Sequence, residues 1–264
     1  MPARSWAGQY IEAMPERALP AMKPALIEKV LLRCAGQCAV CRAWSHQTIC
    51  EGCLALYAAP QARCWTCAAR LPPELADRPR PQCGRCLREP PPLDRSVAAL
   101  DYRFPWDGLL QHFKYHQALD LRESLLERLN SALNAAEVQE PDWLLAVPMS
   151  SERLRERGYN QSHELARALA RRRGLRCDPE LLLRVRHNER QARLKLEARA
   201  ANVRGVFAVE PLRAARLRGS SVALLDDVMT SGATMFELAA VLLQAGVMSV
   251  QAWVVARTPE PGDG

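Results

Sequence analysis

The sequence predicts an α/β protein: a parallel-sheet domain preceded by a small Cys-rich module stapled by metal. Three observations carry this. Nine of the ten cysteines fall between residues 34 and 86, eight of them in four Cys-x2-Cys pairs. From Trp143 onward, short apolar runs alternate with amphipathic stretches, as βαβ units require. One such run, LLDDVMTSGAT at 224–234, ends in two acids, then a small polar loop, then a helix start.

The pairs are Cys38/Cys41, Cys50/Cys53, Cys64/Cys67 and Cys83/Cys86. A Cys-x2-Cys turn brings two thiolates to one metal at ~2.3 Å, and two such turns close a tetrahedral shell. A shell of four thiolates leaves no position for water, so the Zn²⁺ it holds is structural. Joining neighbours assigns Cys38, Cys41, Cys50 and Cys53 to one ion and Cys64, Cys67, Cys83 and Cys86 to a second; a crossed pairing stays open. A disulfide framework needs an oxidising compartment. The N-terminal residues hold no apolar signal region, which predicts a cytoplasmic protein. Four repeats of the spacing with no βαβ pattern around them also argue against a redox dithiol. Cys34 and His46 read as bystanders, with substitution of either into the first site left open, and Cys177 as a small buried hydrophobe.

In chain order, residues 1–33 form a polar N-terminal extension, with Ile27, Val30 and Leu31 suggesting one amphipathic turn. Residues 34–92 form the loop-rich metal module, closed by the stiff Pro90–Pro92 run. Residues 93–264 form the α/β domain. It opens with a strand at Val97–Tyr102, then LLQHFKYH at 109–116, then a Leu-rich helix from Ala118 to Ala136. Trp143–Val147 is a short buried strand. Residues 161–173 form a helix stopped by Gly174, with Arg171, Arg172 and Arg173 offsetting its dipole. Residues 181–202 are basic, lack an apolar face and read as a mobile loop or exposed hairpin. Ser221–Leu225, Ala233–Ala245 and Ser249–Val255 read as strand, helix and strand, a right-handed βαβ unit. The uncharged run 238–256 approaches membrane-span length, but Gln244, Gly246, Ser249 and Gln251 interrupt it, so no span is predicted.

Charge is unevenly distributed. Residues 151–218 hold 18 basic and 8 acidic residues, against 18 and 21 in the remainder. That excess suits an anionic partner, either a phosphorylated small molecule or a nucleic acid; a solvated Arg-rich surface is the plainer alternative. Residues 224–234 favour the first. Backbone N–H groups at a helix N-terminus bind phosphate. Gly232 permits close approach, and Thr230, Ser231 and Thr234 add hydroxyls around Ala233. Asp226 and Asp227 would repel the phosphate itself but suit sugar hydroxyls or a bound cation. Ligands of open α/β sheets sit at this carboxyl end of the strands. The glycines and lysine of Walker A and dinucleotide-binding loops are missing. His112, His116, His163 and His187 are scattered, and no nucleophile–base set has persuasive spacing.

Residues 224–234 resemble the phosphoribosyl-pyrophosphate (PRPP) motif of type I phosphoribosyltransferases. Together with the four Cys pairs, FKYH at 113–116, VPMSSERLRERGYNQSHELARALA at 147–170 and RQARLKLEARAANVRGVF at 190–207, the chain is similar to the ComF (competence protein F) family over roughly residues 34–258. The resemblance implies a type I phosphoribosyltransferase-like domain behind a double zinc ribbon. It implies that Asp226 and Asp227 hold ribose hydroxyls and that 230–234 cradle the 5′-phosphate. The loop of Pro148, Met149 and Ser150 would face pyrophosphate, where such enzymes often use unusual backbone geometry. Arg157, Gly158, Asn160 and Gln161 match the family's own stretch, with Arg157 and Lys114 as anion contacts. Arg186, Gln191, Arg199 and Asn202 would lie in a flexible loop, with Arg199 closing over ligand. Ser231 stands where Thr is common, which keeps a hydroxyl. The implied ligand is PRPP or a related phosphorylated ribose with Mg²⁺, its acceptor unnamed. The family's role in natural transformation implies competence proteins and single-stranded DNA as partners. A non-catalytic single-strand-binding adaptor is the alternative, in which Trp44, Tyr57 and Trp65 either stack on bases or pack around the metals.

Overall fold

The computed structural model describes residues 36–115, 120–185 and 205–259. The N-terminal extension, Cys34, His116, Arg186, Gln191, Arg199 and Asn202 lie outside them. The Cys-rich segment holds a two-strand ribbon, β1 (Gly36–Gln37) and β2 (Trp44–Ser45), and two short helices, α1 (Glu51–Tyr57) and α2 (Gly84–Arg88). Strand β3 (Arg95–Asp101) follows, then helices α3 (Trp106–Tyr115) and α4 (Asp120–Ala135), strand β4 (Trp143–Ala146), and helices α5 (Ser151–Arg157) and α6 (Gln161–Arg173). The remainder is β5 (Leu182–Arg184), β6 (Phe207–Val209), β7 (Ser221–Met229), α7 (Ala233–Gln244) and β8 (Ser249–Arg257).

Four strands form one parallel sheet in the order β3-β8-β7-β4. Parallel strands are covered on both faces, so their residues are apolar almost throughout. In β7, Val222 and Leu224 join the core on one face, and Ala223 and Leu225 the core on the other. On the first face α7 lays down Met235, Leu238, Ala239 and Leu242, spaced as one helical stripe. On the second, α3, α4 and α6 pack together, with Leu121, Leu125, Leu126, Leu129 and Leu133 of α4 all buried.

Two sequence expectations change. Strand β7 does not end at Leu225. Its ladder with β8 continues through Asp226↔Val254, Val228↔Ala256 and Met229↔Arg257, because the neighbouring strand is long enough to pair with it. Those partners override the poor strand propensity of two acids. The second concerns the basic stretch 181–202, whose start is buried, while 186–202 lie outside the described residues. Leu181, Leu182, Val206 and Phe207 are buried, anchoring β5 and β6 as an antiparallel pair in the core.

The Cys-rich segment is built into this sheet. Cys64, Cys67 and Cys86 belong to the α7-side core, whereas Cys38 and Cys53 belong to the α4-side core. Between them the chain covers the outer edge of β3. Ser96 N–H donates to the Trp65 carbonyl at 2.8 Å, and the Ser96 hydroxyl donates to the Thr66 carbonyl. Trp65 Nε1 donates in turn to the Asp94 carbonyl at 2.8 Å.

Candidate functional site

Two clusters of four cysteines stand out, each with all Sγ atoms within 4.8 Å of one another: Cys38, Cys41, Cys50, Cys53, and Cys64, Cys67, Cys83, Cys86. Pairs of neighbours in sequence thus meet, and the crossed pairing is excluded. A tetrahedron with metal–sulfur bonds of ~2.3 Å has edges of ~3.8 Å. Cys41 and Cys50 approach to 3.6 Å, and Cys67 and Cys83 to 3.7 Å. Backbone N–H groups already point at the sulfurs: Cys50 and Val40 donate to Cys38 Sγ at 3.3 and 3.5 Å, and Cys83 donates to Cys64 Sγ at 3.3 Å. Burial opposes a charged sulfur at Cys38, but these donors hold its thiol at about 6. Hydrogen bonds from the Cys67 and Cys86 side chains draw Cys64 down to about 3. The donor set therefore fits structural Zn²⁺ in both clusters. His46 is exposed and joins neither. Cys177 is only half-buried at the core's margin, where burial pushes its thiol up to about 11.

The second feature is a cleft of about 270 Å³ at the carboxyl ends of β4 and β7. Asp226 and Asp227 of β7 line it, as do Pro148, Met149 and Ser150 from the loop after β4. Lys114, Arg157, Thr230 and Thr234 complete the residues that the sequence nominated there. Ser231, Gly232 and Ala233 form the adjoining turn into α7. All peptides from 148 to 151 are trans with ordinary φ, so the unusual geometry expected of that loop is not found. Ser150 instead caps α5, its hydroxyl accepting from Arg153 N–H at 3.3 Å.

The acids are differently placed. Asp226 Oδ1 accepts from the Ser162 hydroxyl at 2.7 Å and from Asp227 N–H at 2.9 Å. Burial, and then the Asp227 charge beside it, push Asp226 up to about 7 despite those donors. Asp227 Oδ2 lies 3.0 Å from Lys114 Nζ. Burial works against the lysine charge, but Asp227 outweighs it and the Lys114 pKa is raised. At the turn, Gly232 has φ +86°, and a Cβ there would meet Phe236 Cζ at 2.5 Å and Met229 Cε at 2.7 Å. Only glycine fits. As N-cap of α7 it brings no side chain of its own; the Ser231 hydroxyl accepts from Ala233 N–H at 3.3 Å, and the N–H groups that follow in the first turn suit an incoming anion.

The stretch Arg157–Gln161 acquires a physical role. Gly158 ends α5 in the left-handed region at φ +79°. Asn160 caps α6 through Oδ1 and donates from Nδ2 to the Val147 carbonyl at 3.1 Å. Tyr159 donates to the Phe113 carbonyl, Gln161 Nε2 to the Lys114 carbonyl at 3.0 Å, and Arg157 Nη2 to Tyr115 Oη at 2.9 Å. Three side chains thus stitch the end of α3 to the mouth of β4 and aim Lys114 at the acids. Arg157 also lies over the Tyr115 ring at 4.6 Å, and its buried Nε has no partner.

Sequence reasoning missed Arg153, Arg184 and Ser162, all of which line the cleft. Arg153 was legible in principle, four residues before Arg157 on one helical face. Arg184 was not, because β5 reaches the cleft only through its pairing with β6. Burial and the nearby Arg153 charge lower the Arg184 pKa. Among the described residues neither arginine has an ion pair with a carboxylate, although Asp226 and Asp227 line the same cleft.

No protein-family model matches the chain. It is 34% identical to the DNA utilization protein YhgH of Salmonella typhimurium over 235 residues, 86% of this chain and 100% of the relative. It is 30% identical to competence protein F of Haemophilus influenzae over 179 residues, 66% of this chain and 78% of that one. Competence protein ComFC of Bacillus subtilis is 25% identical over 84% of this chain and 95% of its own. Among solved structures, a glutamine PRPP amidotransferase from B. subtilis aligns with half of this chain and a quarter of its own, at 22% identity and TM-score 0.32. With these relatives matched across most of their length, the chain belongs to the ComF family.

Proposed function

We propose that the cleft binds PRPP with Mg²⁺, and that the chain serves DNA utilisation or competence, the terms in its relatives' names. One observation carries the ligand reading: an acid pair and three arginines, Arg153, Arg157 and Arg184, line one cleft beside the glycine-capped start of α7. Asp226 and Asp227 take the ribose hydroxyls, the 230–234 turn takes the 5′-phosphate, and Arg153, Arg184 and the 148–150 loop face pyrophosphate. The carboxylate oxygens suit a hard cation, and Mg²⁺ supplies neutralisation of the pyrophosphate charge when bound. A transfer would break the C1–O bond, its electron pair leaving with pyrophosphate, while an acceptor bonds to C1 and gives up a proton. Lys114, paired with Asp227 Oδ2 at 3.0 Å, holds that side chain in place for ribose positioning. Calorimetric titration of Mg²⁺–PRPP into zinc-loaded protein tests this beside Asp226→Asn/Asp227→Asn. Saturable binding confined to the parent supports the reading; no heat at millimolar ligand ends it.

A second reading, a surface for single-stranded DNA, is favoured by Trp44, which is 76% exposed on β2. Trp65 and Tyr57 are already engaged. Arg95 and Arg80 lie over the Trp65 ring at 3.9 and 5.3 Å, and Tyr57 packs edge-on against Phe104.

A further inference from the structure

Arg257 ends β8 and is 2% exposed. A guanidinium is held at such depth only where acceptors surround it. Its Nε donates to the Cys67 carbonyl at 3.0 Å. Its Nη1 donates to the Thr230 carbonyl, with the Thr258 carbonyl at 2.7 Å and that of Met229 at 3.4 Å. One rigid fork therefore spans two backbone turns. The first is the knuckle Cys64–Cys67, closed by Ala68 N–H donating to the Cys64 carbonyl at 2.9 Å. The second is the turn from Met229 to Gly232 that opens α7. Thr230 immediately precedes Ser231 and Gly232, so its carbonyl fixes the direction in which the turn's N–H groups point.

We propose that Arg257 is a positioning residue through which the metal-bound state of the second cysteine cluster sets the geometry of the phosphate turn. This rests on the reading of the cleft as a Mg²⁺–PRPP site. Metal on Cys64, Cys67, Cys83 and Cys86 locks the knuckle and with it the Cys67 carbonyl. When the metal leaves, the knuckle relaxes, the fork loses one anchor, and the Thr230 carbonyl is no longer held. Binding linkage is reciprocal. Ligand in the turn must therefore tighten metal at the second cluster. The first cluster, whose Cys38 and Cys53 lie in the core of the opposite sheet face, must not respond. A planar two-sided fork is needed, and a lysine ammonium reaches one turn only.

The test challenges the full zinc-loaded chain with a chelator, with and without saturating Mg²⁺–PRPP, and follows alkylation of each cysteine by mass spectrometry. Calorimetry on the same preparation reports ligand binding separately. The expected result is about fivefold or greater slowing of alkylation at Cys64, Cys67, Cys83 and Cys86, with Cys38, Cys41, Cys50 and Cys53 unchanged. In Arg257→Lys, still holding two zinc ions, that protection is lost and ligand affinity falls about tenfold. Binding without selective protection in the parent overturns the coupling and leaves the cleft reading standing. No binding at all overturns both. Should Arg257→Lys fail to hold its zinc, the parent comparison alone decides.

Discussion

Lys114 Nζ stands 3.0 Å from Asp227 Oδ2, and the carbonyl of the same Lys114 accepts from Gln161 Nε2 at 3.0 Å. The lysine is thus held from both ends, with its charge directed at the acid pair. Its attraction also restrains the rise in the neighbouring Asp226 pKa. Lys114→Met is therefore expected to move the Asp226 midpoint above about 7. Carboxyl-carbon NMR titration of labelled aspartate checks this; an unmoved midpoint would show that the pair is not electrostatically coupled.

Asp226 should contribute a loss of stability as pH rises from about 4 to 7. Asp226 has a folded-state pKa of about 7, raised from the ordinary carboxylate value near 3.8. Within that window the native chain keeps a proton that the unfolded chain has released, so raising pH favours unfolding. At ~1.4 kcal/mol per unit the effect reaches roughly 4 kcal/mol at most. Asp226→Asn should flatten this dependence in denaturant melts run across the range. A slope that is the same in parent and Asp226→Asn rules out the raised pKa.

Gly232→Ala combines a left-handed φ with a Cβ inside contact distance of Phe236 and Met229. A cost of about 2–4 kcal/mol is expected from strain and overpacking together. Mg²⁺–PRPP affinity should drop by about tenfold or more, because the turn must open to admit the methyl group. Melting and calorimetry on one preparation separate the two effects.

Arg153→Ala and Arg184→Ala should each weaken PRPP binding by about tenfold, in line with loss of a charge-assisted hydrogen bond. Ribose 5-phosphate, which lacks the pyrophosphate, should bind the variants as it binds the parent. Arg167→Ala, whose guanidinium is engaged with Glu164 at 2.8 Å, serves as control. Equal losses for both ligands would place the arginines elsewhere in the site.

Metal analysis should return two zinc ions per chain. Cys67→Ser should lower the melting temperature by about 10 °C, since several kcal/mol of folding energy come from each closed site and a chain this size loses ~2–4 °C per kcal/mol. Fewer than two ions by elemental analysis would contradict the assignment.

The strand–helix–strand core was readable because parallel strands with both faces covered are continuous apolar runs, as SVALL at 221–225 shows. The metal clusters were readable because their spacing is local. What the sequence hid was long-range. Nothing near Arg184 says that pairing with β6 brings it to the cleft. Nothing near Arg257 says that its fork reaches Cys67, 190 residues earlier in the chain. The role of Tyr159 and Gln161 was equally hidden, since their acceptors, the Phe113 and Lys114 carbonyls, are backbone atoms that carry no sequence signal.

The Trp65–Thr66 cover on β3 has a consequence for the whole molecule. An uncovered edge strand offers its free N–H and C=O groups to any other extended chain. Here the cover is the knuckle that presents Cys64 and Cys67, so whatever unmakes the metal site also bares the edge. Zinc shortage would then first show as copies adding strand to strand, before any loss of helix. In that sense an ion at the second cluster would also guard the edge of the sheet.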